Sequence, residues 1–348
     1  MWKSTIILIT SIFILVSCKP QKDEYNPPVF PISEKLSSQA ISEELIIGTP
    51  YDMFVHGDYI FILAFTEEHW LQAYDKHTGD FVGKFARKGQ GPNELIMGTN
   101  LTFNSETHIL SIYDSQLKKV FYYRIGNEPS DLVSFIRTEN LYELGGERVV
   151  RNAWPLYTSG NYLIDGQLGE GEGVKSKLKR FQMLSQNGIV SEYNQFPISA
   201  EDKYLPHLQT CISVSPNQEK MAVGILNGAI LEMFDLKENI SLTKVRKFYP
   251  PSFDEVDGRV KFGEDMVFGF AFLCSTDTYI YTILIGDKDS NKLNNISVFD
   301  WEGNEVCRYE TDCPLLRLYS PVDEPDKLYG IAVSDNQEFY LVSFDLKL

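Results

Sequence analysis

From about residue 50 onward, short apolar stretches rich in Val, Ile, Tyr and Phe alternate with Gly, Asn, Asp and Pro. That is the strand-and-turn pattern of an all-β protein, and no segment carries a helical period. Tyr59–Phe65 (YIFILAF) reads as a near-continuous buried strand, followed by a strand at Trp70–Tyr74, a turn at Asp75–Gly79 and a third strand at Phe81–Ala86. An aromatic followed by Asp and a turn recurs at Tyr74-Asp75, Tyr113-Asp114, Phe234-Asp235, Phe299-Asp300 and Phe344-Asp345, with a degenerate copy at Leu184-Ser185. The intervals are irregular but close to one four-stranded unit plus insertions. In each copy the Asp carboxylate is expected to accept backbone N–H groups two residues on and so hold the turn between the last two strands.

Six such units predict a six-bladed β-propeller. One blade cannot bury both its faces alone, so neighbours pack face to face around a channel. The expected blade limits are 50–90, 95–140, 146–197, 205–250, 264–312 and 315–348. The last unit stops just after its third strand, which would leave an exposed apolar edge. Its fourth strand is expected from Glu43–Ile47, so that an N-terminal strand pairing with the C-terminal blade closes the ring.

The apolar run Ile6–Val16 behind Lys3 is too short to span a bilayer and has the layout of a secretory signal peptide. It ends in Leu15-Val16-Ser17-Cys18, which resembles a bacterial lipobox. The resemblance implies a lipoprotein signal peptide at 1–17, cleavage before Cys18, and acylation (palmitate among the chains) at that residue. A lipid anchor and proline-rich tether would occupy 18–40 and the propeller 41–348. One acyl chain binds membranes marginally, whereas the several implied here would hold firmly. Gln21-Lys22-Asp23-Glu24 resembles a signal for the outer cell surface, and an ordinary solvated linker fits it equally well. The expected location is the cell envelope, anchored in the outer membrane and facing the periplasm or the exterior.

Hydrophobic residues make up 43% and aromatic residues 13%, enough for one large core. Loss of the leader removes Lys3 and takes the formal charge from −16 to −17. That surface repels phosphate backbones and anionic headgroups, so no nucleic-acid partner is expected, and the membrane is met through the lipid anchor only. A monomer is expected. Cys211 and Cys274 lie in apolar, strand-like surroundings and read as buried free thiols. Cys307 and Cys313 could bridge a turn or remain free, and no zinc spacing is present.

The lipobox, the repeated aromatic-Asp turns and the string Lys88-Gly-Gln-Gly-Pro-Asn-Glu-Leu95 together resemble the TolB-like six-bladed propeller lipoproteins of Gram-negative bacteria. The resemblance covers essentially the whole mature chain. Within the string, Asn93 and Leu95 depart from that family's Gly-x-Gly-Pro-Gly-Glu-aromatic signature. What the resemblance implies is fold and place, not an activity.

Gly89-Gln-Gly91 is not a phosphate loop, since no third Gly or Gly-Lys-Ser/Thr follows and Pro92 removes a donor. Gly169–Gly173 carries two Glu that would repel phosphate, and reads as a loop inserted in blade three. Asp287–Asn291 lacks the Gly and bidentate Glu of a calcium loop. Geometry offers more than motifs. In a propeller the links between blades, and the loops between each blade's second and third strands, gather on one face around the channel. Here that link face is expected to carry Arg87, Lys88, Gln90 and Glu94, with Glu67, Glu68, His69 and Trp70 beside them. Lys203, Tyr204 and His207, then Glu264 and Asp265, and finally Arg317 follow around the ring.

The residues expected to contact a ligand are Arg87, Gln90, Glu94, His69, Trp70 and His207, with the alternative that Arg87 and Glu94 only pin a blade junction. Two functions compete. One is a non-catalytic binding or scaffold role toward a protein, peptide or glycan. The other is a hydrolase or lactonase-like enzyme with Ca²⁺ at the channel mouth, for which Glu68, Glu264 and Asp265 are the candidate ligands. No catalytic residue is assigned, no cofactor is required by any motif, and Ca²⁺ is the possible exception.

Overall fold

The apolar runs form six antiparallel meanders, each counted from the innermost strand outward. The computed structural model describes residues 24–42, 45–145, 151–166, 180–198 and 204–347. Cys18, Lys22, Asp23, Lys203 and the Gly169–Gly173 loop lie outside them. Two strands precede the first blade, β1 (Ser33–Leu36) and β2 (Gln39–Ala40). Blade one is β3 (Pro50–His56), β4 (Tyr59–Ala64), β5 (His69–Asp75) and β6 (Phe81–Arg87). Blade two is β7 (Gly98–Asn104), β8 (Ile109–Asp114), β9 (Lys119–Ile125) and β10 (Val133–Asn140), followed by the short helix α1 (Leu141–Gly145). Blade three is β11 (Asn152–Leu156), β12 (Asn161–Asp165), β13 (Phe181–Ser185) and β14 (Gly188–Tyr193).

A 3₁₀ turn at Leu205–His207 leads into blade four, β15 (Thr210–Val214), β16 (Lys220–Ile225), β17 (Ala229–Asp235) and β18 (Ser241–Tyr249). A separate hairpin, β19 (Phe253–Val256) and β20 (Arg259–Phe262), stands in the link to blade five. Blade five is β21 (Phe268–Ser275), β22 (Tyr279–Asp287), β23 (Asn295–Asp300) and β24 (Glu305–Thr311). Blade six is β25 (Leu315–Tyr319), β26 (Lys327–Val333) and β27 (Phe339–Asp345). The fold is thus the expected all-β six-bladed propeller.

Burial explains the sequence pattern. Second and third strands are sandwiched between neighbouring blades and covered on both faces, so β4 and β17 read as continuous apolar runs. Outer strands such as β14 meet solvent and show little continuous apolar character. Interleaved side chains form the core between blades, as where Phe54, Phe61, Leu63, Trp70, Ile112 and Phe121 interlock blades one and two.

The ring closes through the N-terminal segment, but not at the place expected. The fourth strand of blade six is β2, which pairs antiparallel with β27 through Gln39↔Ser343 and Ala40↔Val342. Of Glu43–Ile47, Leu45 forms one bridge to Phe339, and Glu43 and Glu44 lie outside the described residues. The tether expected through residue 40 is also docked along most of its length. Asn26 N–H donates to Lys247 O of blade four at 2.9 Å, and Phe30 packs edge-on against Phe299. β1 adds a fifth, parallel strand to blade five through β24. Ser38 N–H donates to Asp312, and the Ile41 carbonyl lies so close to Gly79 of blade one that a Cβ there would sit 2.4 Å from it. Residues 25–42, together with Leu45, form a strap over the outer edges of blades four, five and six that reaches blade one.

The aromatic-Asp turns act as expected in most blades. Asp75 accepts from the N–H groups of His77 and Thr78, Asp235 from Lys237, and Asp300 from Asn304, each after a third strand. Ser185 substitutes by accepting from Asn187 N–H. Asp345 has no such turn to hold and accepts instead from Gln39 of the closing strand.

Tyr113-Asp114 is the exception. It ends the second strand of blade two, on the link face, because an Asp at a strand end holds any tight turn and does not encode which one. Asp114 is fully buried, and one oxygen accepts from Gln116 and Leu117 while the other accepts from Ile96 and Met97 of the preceding link. Asp114→Asn is expected to cost about 2 kcal/mol, since the neutral amide keeps one acceptor oxygen and turns its NH₂ toward two donors. The urea midpoint reads this, and an unchanged midpoint would reject the clamp.

Candidate functional site

The link-face loops meet as topology requires. At blade one, Lys88 N–H donates to Glu68 O at 2.7 Å, and Lys88 Nζ lies 3.7 Å from the centre of the Phe65 ring while donating to Thr66 O. Arg87 stands opposite His69 across β5 and β6. The structure therefore gathers Glu68, His69, Arg87, Lys88 and Glu94 at one junction.

That junction is built from the Gly-Gln-Gly-Pro string. Leu95 N–H donates to Arg87 O and Gly89 N–H to Leu95 O, both at 2.9 Å, which folds residues 88–95 into a tight loop with Leu95 fully buried. Glu94 turns back over the loop, with Oε2 accepting Gly91 N–H at 2.9 Å and Oε1 lying 3.3 Å from Arg87 Nε. A Cβ at Gly89 would stand 2.0 Å from Glu94 Oε2, so only glycine admits that carboxylate. The reading of Glu94 as a pin for the blade junction matches this geometry. Arg87 keeps its side chain 74% exposed, and Gln90 is exposed too.

Trp70 corrects the expectation for it. It is fully buried beneath Phe65 and Tyr51, and its indole N–H donates to Leu95 O, so it is a core residue between blades one and two. The cause is coverage on both faces: in β5 (His69–Asp75) only the end residue His69 lies half-buried on the rim, and the five residues after it are all buried between blades. Burial lowers the His69 pKa despite Glu68, which keeps the imidazole neutral near pH 7. His207 is exposed at the end of the 3₁₀ turn, and its carbonyl accepts from buried Asn227.

The candidate calcium ligands are not brought together. Glu68 pairs loosely with His69, whereas Glu264 and Asp265 sit in the link before blade five, where Asp265 bonds Ser252. Among the described residues no group of three or more His, Cys, Asp or Glu is placed to hold a metal ion. The four described cysteines are free thiols, so Cys307 and Cys313 form no bridge.

The central channel encloses about 590 Å³ and is lined by all six innermost strands. None of the six expected ligand residues lines it. Its charged lining is Asp52, Arg317 and Asp323, with His56 toward the opposite mouth, where it meets His108 edge to face. Burial raises the Asp52 pKa to about 6, against hydrogen bonds from the N–H groups of Leu101 and Met53 that favour the ionised form. Asp52 escaped the sequence reading because one acid inside a strand has no motif. Its signal was a charge in the apolar run PYDMFV.

Two further features also went unread. Asp257-Gly258, both at positive φ, make the tight turn of the β19–β20 hairpin, where the Asp-Gly pair is itself a hairpin signal. Phe253 of that hairpin stacks on Tyr204 at 5.5 Å. Arg180 and Glu232, 3% and 0% exposed, form a bidentate pair that joins blades three and four.

This architecture is that of a six-bladed propeller family. A family model described as TolB-like 6-blade propeller-like matches residues 30–316, and the chain belongs to that family. Among solved structures, a Bacteroides fragilis protein described as exported is similar with a TM-score of 0.55 at 14% identity, covering 91% of this chain and 99% of that one. A DUF4221 family member from Bacteroides vulgatus gives 0.51 at 11% identity, with 93% and 99% covered. A gluconolactonase from Xanthomonas campestris gives 0.50 at 8% identity, with 88% and 89% covered. At these identities the likeness is one of fold. Among curated proteins no sequence matches the chain.

Proposed function

We propose that the protein is an outer-membrane-anchored envelope lipoprotein, acylated at Cys18, whose propeller binds a ligand or partner on its link face without catalysing a reaction. The observation that carries the binding reading is the link face itself. Exposed Arg87, Glu68, Gln90 and His207, with half-buried His69, present both signs of charge and neutral polar groups on the face where the inner strands open onto the channel. Polar rims around a partly enclosed channel suit directed contacts to a protein loop, peptide or glycan. The scattered carboxylates give no comparable support to a calcium-dependent hydrolase. The likeness to an exported protein and the leader before Cys18 support the envelope location.

Two experiments test this reading. Cys18→Ala, expressed in the native host, should appear in the soluble envelope fraction, and retention in membranes would overturn the anchor. Arg87→Ala with His207→Ala should abolish capture on glycan and peptide arrays while leaving the melting temperature within a degree or two. Capture that survives this pair but falls with Asp235→Ala on the opposite face would overturn the face assignment.

A further inference from the structure

Arg317 is the first residue to consider at the link-face end of the channel. Its Nε donates to Tyr51 O at 2.6 Å and one Nη to Leu316 O at 2.7 Å, which fixes the guanidinium in place over the Phe272 ring. A guanidinium has five N–H groups. Those not used in these two bonds find no protein acceptor among the described residues, and no carboxylate there lies within ion-pair distance. Its charge is felt by Asp52 of blade one and Cys211 of blade four, so the group sits near the axis, where several blades converge. The residue remains partly accessible from the channel. A preorganised cation with open donors, inside a cavity of about 590 Å³, lacks one partner.

The charge balance restricts what that partner is. The lining holds one permanent cation, Arg317, against Asp52 and Asp323, while burial lowers the pKa of His56. A monoanion can complete the Arg317 fork. A phosphate dianion would bring a second charge that nothing nearby neutralises. Tyr51 and Phe272 beside Arg317 offer apolar faces, and Thr210, Asn152 and Thr99, near the starts of their innermost strands, line the same end of the channel with hydroxyl and amide groups. We propose that the link-face end of the channel binds a small hydroxylated monocarboxylate, of the sugar-acid or hydroxy-acid class, with its carboxylate on the Arg317 guanidinium. This rests on the reading of the propeller as a binding protein and names the ligand class of its channel.

Asp52 makes the site sensitive to pH. It is faced by Arg317 and Tyr319 from β25, Cys274 from β21 and the Leu101 N–H from β7. A bound carboxylate favours the protonated form of Asp52, so affinity rises as pH falls through about 6.

The test is calorimetric titration of the mature chain, with Cys18 replaced by Ser, using three probes that share a ring: glucuronate, uncharged glucose and dianionic glucose 6-phosphate. Glucuronate should bind at least about tenfold more tightly than either of the others, a discrimination in keeping with a charge-assisted bidentate contact. Its affinity should rise about fivefold from pH 7.5 to pH 5, a coupling of less than one pKa unit. Arg317→Gln should weaken it about thirtyfold, and Arg317→Lys should recover part, since the charge returns without the fork.

Asp52→Asn is the variant that separates binding from folding. It removes a buried acid but, as at Asp114, turns an NH₂ toward one of the N–H groups of Met53 and Leu101, so it should stay folded with a somewhat lower urea midpoint, read beside the titration, and should tighten binding at pH 7.5 while flattening the pH dependence. Failure of glucuronate to bind, equal binding of glucose, or unchanged affinity in Asp52→Asn would overturn the channel site. Array capture on the link face would be unaffected by that failure, so the broader reading would stand or fall separately.

Discussion

Removing residues 19–45 is expected to destabilise the propeller by about 5 kcal/mol or more, through lost apolar burial and two exposed sheet edges. The deletion takes away Leu45, which is 4% exposed, the partly buried Phe30, Leu36 and Ile41, and the ladders to β24 and β27. Each well-buried aliphatic or aromatic side chain contributes about 1.5–3 kcal/mol, and the ordering entropy of the strap offsets part of the sum. The measurement is thermal and urea unfolding of the shortened chain beside the mature one. A synthetic peptide spanning residues 24–47 should restore most of the lost transition temperature when added in excess. A melting temperature unchanged by the deletion would mean that the strap is ornamental.

The second large effect is expected at the Arg180–Glu232 pair. Arg180 donates from both Nη atoms to the two carboxylate oxygens and also to Gln195 O, between the rings of Phe181 and Phe196. Glu232→Gln leaves a guanidinium sealed between blades three and four without its counter-charge. Breaking a buried pair from one side costs about 3–5 kcal/mol. Replacing both partners, as in Arg180→Met with Glu232→Leu, should recover most of that loss, because neither charge then needs solvation. The urea midpoints of the two single variants and the double variant give the coupling directly. A double variant as unstable as the singles would show that the site depends on packing rather than on ionic pairing.

The blades were legible because their middle strands are covered on both faces, and so the sequence carries long apolar runs such as Tyr59–Ala64 and Ala229–Asp235. The predicted limits of all six blades enclose their consecutive strands, and only the two N-terminal strands added to blades five and six fall outside them. The closing strand was harder to place. Gln39-Ala40 has no apolar signature, since a two-residue edge strand is held by its backbone ladder and by Gln39 on Asp345. The more strand-like Glu43–Ile47 drew the assignment instead.

The link face proposed for binding could be read from propeller topology, and Arg87, Gln90 and His207 are exposed. The burial of Trp70 could not, because one tryptophan beside a loop looks the same whether it turns inward or outward. Arg180, Glu232 and Asp52 were invisible for a related reason. A single charge in an apolar strand declares that it needs a partner, but the partner comes from another blade.

The strap also governs when this protein can finish folding. Gln39 and Asp345, bonded to each other, stand 306 positions apart, so a segment near the start of the chain pairs with strands made at its end. As the chain emerges, β1 and β2 must wait unpaired until β24 and β27 have followed, and contacts of such separation form late. Until then blades five and six present open edges on which a foreign strand could settle. A chain broken off before blade six never provides β27, and β2 then has nothing to close upon. The finished ring is thus a report that the last blade has arrived.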